Sequence, residues 1–222
     1  MSVNINTFKS FTEYAANKAQ IGNSLTVSQF NEVANRAQME IFEKDYQTFL
    51  KLGQTSEFLK TFLKNIPTPV PSTGIYTLPT DFQHMAAVRK YYVPPTGGTG
   101  KMIPVDDITE EQYGEMQISA LMTPTLRFPK YNEFGSTLRF LPRTIGLVEL
   151  DYFRTPVAPI WAYTTVNNRP VYDPLTSVDF EWSEFSFNSV AAVFLSIIGA
   201  NLKDNELSQF SQMYKQESNS VL

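Results

Sequence analysis

The chain has 222 residues and a mass of 25.2 kDa, enough for one large domain, or a core with one insertion, and for a self-sufficient apolar interior. It has no cysteine and a single histidine, His84, which excludes disulfides, thiolate metal sites, iron–sulfur clusters, a cysteine nucleophile and a histidine-rich metal centre. Lys+Arg is 18 against Asp+Glu 22, a net charge of −4, the wrong sign for a protein that coats nucleic acid.

Residues 1–66 read as helical. Phe8, Phe11 and Ala15 recur at helical spacing, with Thr7 as the cap. Gly22-Asn23-Ser24 breaks this helix. Thr26 followed by Gln29 is a capping-box pattern. It opens a longer helix over 27–52, with Phe30, Val33, Ala34, Ala37, Ile41, Phe49 and Leu50 as its apolar stripe and Gly53 as its C′ residue. A shorter helix carries Phe58, Leu59, Phe62 and Leu63 and stops by Ile66, before Pro67.

Prolines concentrate in residues 67–174, which read as strands and turns. Pro67, Pro69 and Pro71 suggest a stiff extended connector. Strands are expected over 74–79, 84–93 and 101–105, with a turn-rich tip from Pro94 to Gly100. Thr109 with Gln112 caps a short helix over 110–117. Three more strands follow at about 126–132, 137–141 and 147–154. In the last, Val148, Leu150 and Tyr152 alternate with Glu149 and Asp151, so one face is buried. Residues 155–175 read as a long loop, a length usually tied to function or to a partner.

The last region starts at Ser177 or Asp179 as cap. Trp182, Phe185, Val190, Phe194, Ile197 and Ile198 give it a broad apolar surface. Asp204 caps a final helix with Leu207, Phe210 and Tyr214. The order helices, strands, helices predicts an α+β fold: a helical bundle drawn from both chain ends (1–66 and 175–222), with Phe30 and Ile41 sharing a core with Phe185 and Phe194. A β-rich insertion with long loops (67–174) fills the middle.

Four patterns invite chemistry. Gly97-Gly98-Thr99-Gly100-Lys101 resembles a phosphate loop, but Pro95 stands where the first Gly belongs and Met102 where Ser or Thr belongs. A flexible hairpin tip is the better reading. Asp106, Asp107, Glu110, Glu111 and Glu115 offer paired carboxylates for glycoside hydrolysis or a hard cation, yet acids at a helix start also simply favour the dipole. His84 follows Asp81, but no nucleophile-elbow pattern accompanies it. Arg127, Lys130, Arg139, Arg143 and Arg154 are interleaved with Glu149 and Asp151, which favours ion pairs on a wet sheet face over a phosphate-binding band. No catalytic, cofactor-binding or metal residue is assigned.

The surface chemistry points towards partners instead. Charged residues are 18 % of the chain and aromatics 14 %, a balance that suits surfaces buried against other proteins. Tyr92, Gly97 and Gly98 at the first tip, Trp161, Tyr163 and Tyr172 in the long loop, and Tyr214, Val221 and Leu222 at the C-terminus are the expected interface residues. Neither the tip nor the loop has a periodic apolar face, so both are expected to be mobile edges that order on docking. No apolar run nears the roughly 20 residues of a membrane span. Met1-Ser2-Val3-Asn4-Ile5-Asn6 lacks the pattern of a signal peptide, so no membrane crossing is expected.

Several segments together carry a family resemblance. They are Tyr76-Thr77-Leu78-Pro79-Thr80-Asp81-Phe82, then Leu138-Arg139-Phe140-Leu141-Pro142, then Val148-Glu149-Leu150-Asp151-Tyr152-Phe153-Arg154-Thr155-Pro156, and last Ile198-Gly199-Ala200-Asn201-Leu202-Lys203-Asp204-Asn205-Glu206-Leu207. In this order the set resembles the head-to-tail connector, or adaptor, ring proteins of short-tailed phages (tail tubular protein A), with related ring proteins in crAss-like phages.

The resemblance implies a non-enzymatic virion protein, assembled in the host cytoplasm. It would form a ring, usually of twelve copies, beneath the portal, and present a docking surface to a downstream tail ring or tail hub protein. Genomic DNA would pass through the channel without sequence-specific binding, and a net negative wall would let it slide. Another tail ring or collar protein, a carbohydrate hydrolase using the 106–115 acids and a cytosolic protein-binding module are the alternatives.

Overall fold

The computed structural model describes residues 3–18, 25–95, 97–119 and 121–202. Among them the chain is α+β, with five α-helices and three sheets. Contacts divide it into two units: residues up to Thr61 together with those from Pro156 onward, and Phe62–Thr155.

In the first unit, α1 (Ile5–Lys18) is started by Asn4, not by Thr7. The Asn4 side-chain oxygen accepts the N–H groups of Asn6 and Thr7 at 3.0 and 3.1 Å. The Ile5 N–H is taken by the Asp179 carboxylate at 2.8 Å, a cap supplied from 174 positions away. Helix α2 (Val27–Leu52) opens with the expected capping box and closes on Gly53 at φ 67°, a left-handed position that only glycine fills without strain. Helix α3 (Glu57–Lys60) is a single turn capped by Ser56. Helix α5 (Phe187–Leu202) follows a 3-10 turn, Glu184–Ser186.

The core of this unit is aromatic. Phe8 of α1 has the rings of Phe180, Phe194 and Phe187 at 4.9, 5.3 and 5.6 Å, mostly edge-on, the arrangement that aromatic quadrupoles prefer. Phe30 of α2 reaches Phe194 at 5.3 Å. Gln38 of α2 is fully buried, but its amide is satisfied at both ends. It donates to the Val157 carbonyl at 2.9 Å and accepts from the Trp182 indole at 3.1 Å.

The expected bundle drawn from both ends is overturned. From Val190 to Leu195 every residue of α5 is buried, so this stretch is surrounded on all sides, and among the described residues helices are not its sole cover. Non-helical chain completes the core with Trp161, Phe180 and Trp182. The same stretch holds the third sheet, a hairpin of β9 (Tyr163–Val166) and β10 (Arg169–Tyr172). Neither Ser177 nor Asp179 caps α5. Asp179 serves α1, and the Ser177 hydroxyl accepts the Ala162 N–H at 2.9 Å, at the base of the hairpin. The break at Gly22-Asn23-Ser24, the Phe185 side chain and the expected final helix with Leu207, Phe210 and Tyr214 lie outside the described residues.

The second unit contains two four-stranded sheets. The first has the order β1-β8-β3-β4 and is antiparallel throughout, built from β1 (Leu63–Pro69), β3 (Phe82–Tyr92), β4 (Lys101–Pro104) and β8 (Leu147–Arg154). The second has the order β2-β7-β6-β5, from β2 (Ile75–Thr77), β5 (Asp106–Asp107), β6 (Lys130–Phe134) and β7 (Thr137–Leu141). Val88, Val148 and Leu150 of the first sheet and Tyr131, Leu138 and Phe140 of the second belong to one apolar cluster. Helix α4 (Glu110–Ile118), with the expected Thr109–Gln112 capping box, adds Tyr113 to a smaller cluster with Ile108 and Leu141.

Phe62 and Leu63 do not extend a helix, and Pro67 and Pro69 do not form a connector: Leu63–Pro69 is strand β1. It is an edge strand paired only with β8, the place in a sheet where a missing N–H costs nothing. Gly74, at φ 73°, lies so close to Arg143 that a Cβ would stand 2.9 Å from the Arg143 Cα. Its carbonyl accepts the Phe140 N–H at 2.7 Å, so the turn before β2 is closed onto β7.

Candidate functional site

Trp161 was expected on a mobile edge and is 5 % exposed instead. Its backbone N–H donates to the Asn31 side-chain oxygen at 2.9 Å, and its carbonyl accepts from the Asn31 amide at 3.3 Å. Its indole N–H reaches Asn6 at 3.0 Å, and the Lys9 ammonium lies 4.5 Å from the ring centroid. Tyr163 and Tyr172, opposite each other in the β9–β10 pair, stack on the same ring at 6.0 and 5.8 Å. The long loop is therefore a hairpin pinned to its own unit through Trp161. The strand residues themselves stay largely exposed, Tyr163 included.

The other expected interface residues are dispersed. Tyr92 ends β3 and is half-buried. Gly97 and Gly98 are exposed, at φ 85° and 125°, in the connection between β3 and β4. That connection joins two strands of one sheet and carries no helix start to receive a phosphate. Tyr214, Val221 and Leu222 lie outside the described residues.

The acids of 106–115 do not form one cluster, and two of them are engaged separately. Asp106 pairs with Lys130 at 2.6 Å and Glu110 with Arg139 at 2.9 Å. The Arg139 guanidinium also lies 3.7 Å from the Phe134 ring centroid. Burial raises the Asp107 carboxyl above the ordinary carboxylate range. Burial also raises Glu133, helped by the Asp107 charge and opposed by His84. Among the described residues, no group of three or more His, Cys, Asp or Glu side chains is placed to hold a metal ion.

Of the four segments behind the family resemblance, the three within Phe62–Thr155 meet in space; most of the fourth, from residue 203 on, lies outside the described residues. Asp81, from the Leu-Pro-Thr-Asp-Phe stretch, accepts the Tyr152 hydroxyl at 3.0 Å and pairs with Lys64 at 2.5 Å. Its carbonyl takes the Thr155 N–H at 2.8 Å. The Lys64 ammonium, and then the Tyr152 hydroxyl, hold the Asp81 carboxyl below its ordinary range. Burial together with that carboxylate pushes the Tyr152 phenol up to about 12. Such a phenol stays protonated at neutral pH and acts as a fixed donor. Asp81 thus ties β1, the start of β3 and β8 together.

One exposed feature escaped the sequence reading. Ile118, which ends α4, and Leu121, Met122, Leu126 and Phe128, in the connection from α4 to β6, are all exposed. The available signal was a run from Met116 to Leu126 with no charged residue. No family model matches the chain, and no curated protein matches it.

Proposed function

We propose that this chain is a non-enzymatic structural virion protein: one subunit of a head-to-tail connector ring that joins the portal to the tail and surrounds the DNA channel. The observation that carries the reading is the Asp81 joint. Three of the four segments that resemble connector proteins are far apart in sequence, yet Asp81 and Tyr152 bind each other, while Leu138, Phe140, Val148 and Leu150 share one core cluster. The resemblance therefore rests on residues that build one framework, as expected where the common property is shape and not a reaction. The net charge of −4 is compatible with a channel wall that does not retain DNA. Exposed apolar side chains such as Leu121 and Leu175 supply surface that assembly would cover.

The test is to purify the chain, alone and mixed with the portal assembly of the same virion, and to image both. Annular particles many times the 25.2 kDa of the chain, seated on the portal, are expected. A chain that is missing from purified virions and stays monomeric beside the portal overturns the reading.

A further inference from the structure

Two uncovered apolar surfaces lie on different units of the chain. The first is the 118–128 stretch. Leu121 is 99 % exposed, Ile118 87 % and Phe128 63 %. The stretch is held by its own turns: the Met122 N–H donates to the Ser119 hydroxyl at 3.3 Å, the Thr123 hydroxyl to the Ser119 carbonyl at 2.9 Å, and the Phe128 N–H to the Thr125 carbonyl at 3.0 Å. Its five large apolar side chains are all exposed, surface of the kind that a stable protein interface, roughly 800 Å² on each side, covers. On α4, Glu111, Glu115 and Ile118 fall at spacings of four and three, so they share one stripe beside this patch. Neither glutamate has an ion-pair partner among the described residues. Arg127, the one charged residue of 118–128, lies over the Phe128 ring at 5.3 Å.

The second surface is the outer face of the β9–β10 hairpin. Pairing puts Thr164 opposite Val171 and Val166 opposite Arg169, so these four side chains share a face. The other face carries Tyr163 and Tyr172, stacked on Trp161. Val166 and Val171 are 51 % and 46 % exposed, and among the described residues no ion pair includes Arg169. A two-stranded hairpin is marginal in water without a covered face. Among the described residues, this one packs on Trp161 through its Tyr face, while Val166 and Val171 of the other face are exposed. Asn167 and Asn168, at φ 49° and 60°, form the tight turn that projects it.

We propose that the outer face of the β9–β10 hairpin of one copy docks on the 118–128 patch of a second copy, with Arg169 against Glu111 and Glu115. The two surfaces are different patches of one chain, so the contact is heterologous. Repeated around an axis, it closes a ring or extends a filament. The charges are complementary: one unpaired cation among β-branched side chains faces two unpaired carboxylates beside an apolar patch. The inference rests on the ring reading and adds which surfaces meet.

The chain's lack of cysteine makes the contact addressable. Val166→Cys and Leu121→Cys are placed in separate chains, mixed with and without the portal assembly, and treated with a short bismaleimide. A mixed Val166–Leu121 product is expected to dominate. Separately, Arg169→Glu is expected to weaken self-association about tenfold by setting like charges together, and Glu111→Lys with Glu115→Lys in the same chain is expected to restore it. Circular dichroism should be unchanged, because all of these side chains are exposed. A Leu121–Leu121 product without the mixed one shows an isologous patch and overturns the proposal. No cross-link while micrographs show rings overturns this contact and leaves the ring reading standing. No cross-link and no particle overturns both.

Discussion

Trp161 and Asp81 show what single side chains do here. Trp161 joins two distant stretches, through Asn6 and Asn31, to its own hairpin, through the Tyr163–Tyr172 pair. Trp161→Ala should cost about 3 kcal/mol or more and lower the melting temperature markedly; an unchanged melt would place the indole outside the core. None of this was legible in the sequence, because Asn31 and Asn6 are 130 and 155 positions away and an aromatic in a proline-rich stretch reads equally well as an exposed anchor. Asp81 has the opposite history: its motif stood out, and the structure supplies its role. Its folded-state pKa lies below the ordinary value of 3.8, so the folded protein holds fewer protons than the unfolded chain as pH falls through that value. The stabilisation is complete above about pH 4 and is lost as acid titrates the folded carboxylate. Asp81→Asn should therefore cost about 1 kcal/mol at neutral pH, since the ion pair with Lys64 is partly solvated. The gap to the unmodified protein, read at neutral pH and again well below 3.8, should narrow as acid titrates the folded carboxylate. Urea titrations at both pH values check this, and a gap that does not change with pH would assign the residue a purely steric role.

Elements were legible where their signals are local. The capping boxes Thr26–Gln29 and Thr109–Gln112, the Gly53 stop and the alternation of β8 all lie within a few residues, and each element forms there. Elements fixed by distant pairing were not legible. Leu63–Pro69 looked like a helix end followed by a proline connector, and only the pairing with β8 makes it a strand. The β9–β10 hairpin was hidden because its strands are four residues long and Pro170 interrupts one of them, although Asn167-Asn168 is a turn signal. Helix α1 mixes both kinds. Its apolar spacing was visible, while its cap comes from Asp179. Asp179→Ala should cost about 1 kcal/mol, and hydrogen exchange at the Ile5 and Asn6 amides should rise more than in the middle of α1. Equal exchange along the helix would show that Asn4 alone suffices.

At the scale of the molecule, the chain leaves one unit, builds another and returns. The two crossings lie side by side in the second unit. Leu63 pairs with Phe153 at one end of the β1–β8 ladder, and the Arg154 N–H donates to the Phe62 carbonyl at 2.9 Å. An insertion whose ends are already neighbours adds little loop-closure cost to its host, because that cost grows only with the logarithm of the open loop. The second unit also has its own core, from Val70 to Leu150, drawn from both of its four-stranded sheets. Residues 62–155 expressed alone should therefore fold cooperatively. Heating should give one sharp transition, with dispersed amide resonances below it. Val148→Ala and Leu150→Ala, both in that core, should each lower the transition, the leucine by about 3 kcal/mol. Broad melting of the excised unit, with collapsed resonances, would mean that the β sheets depend on the helical residues for their stability.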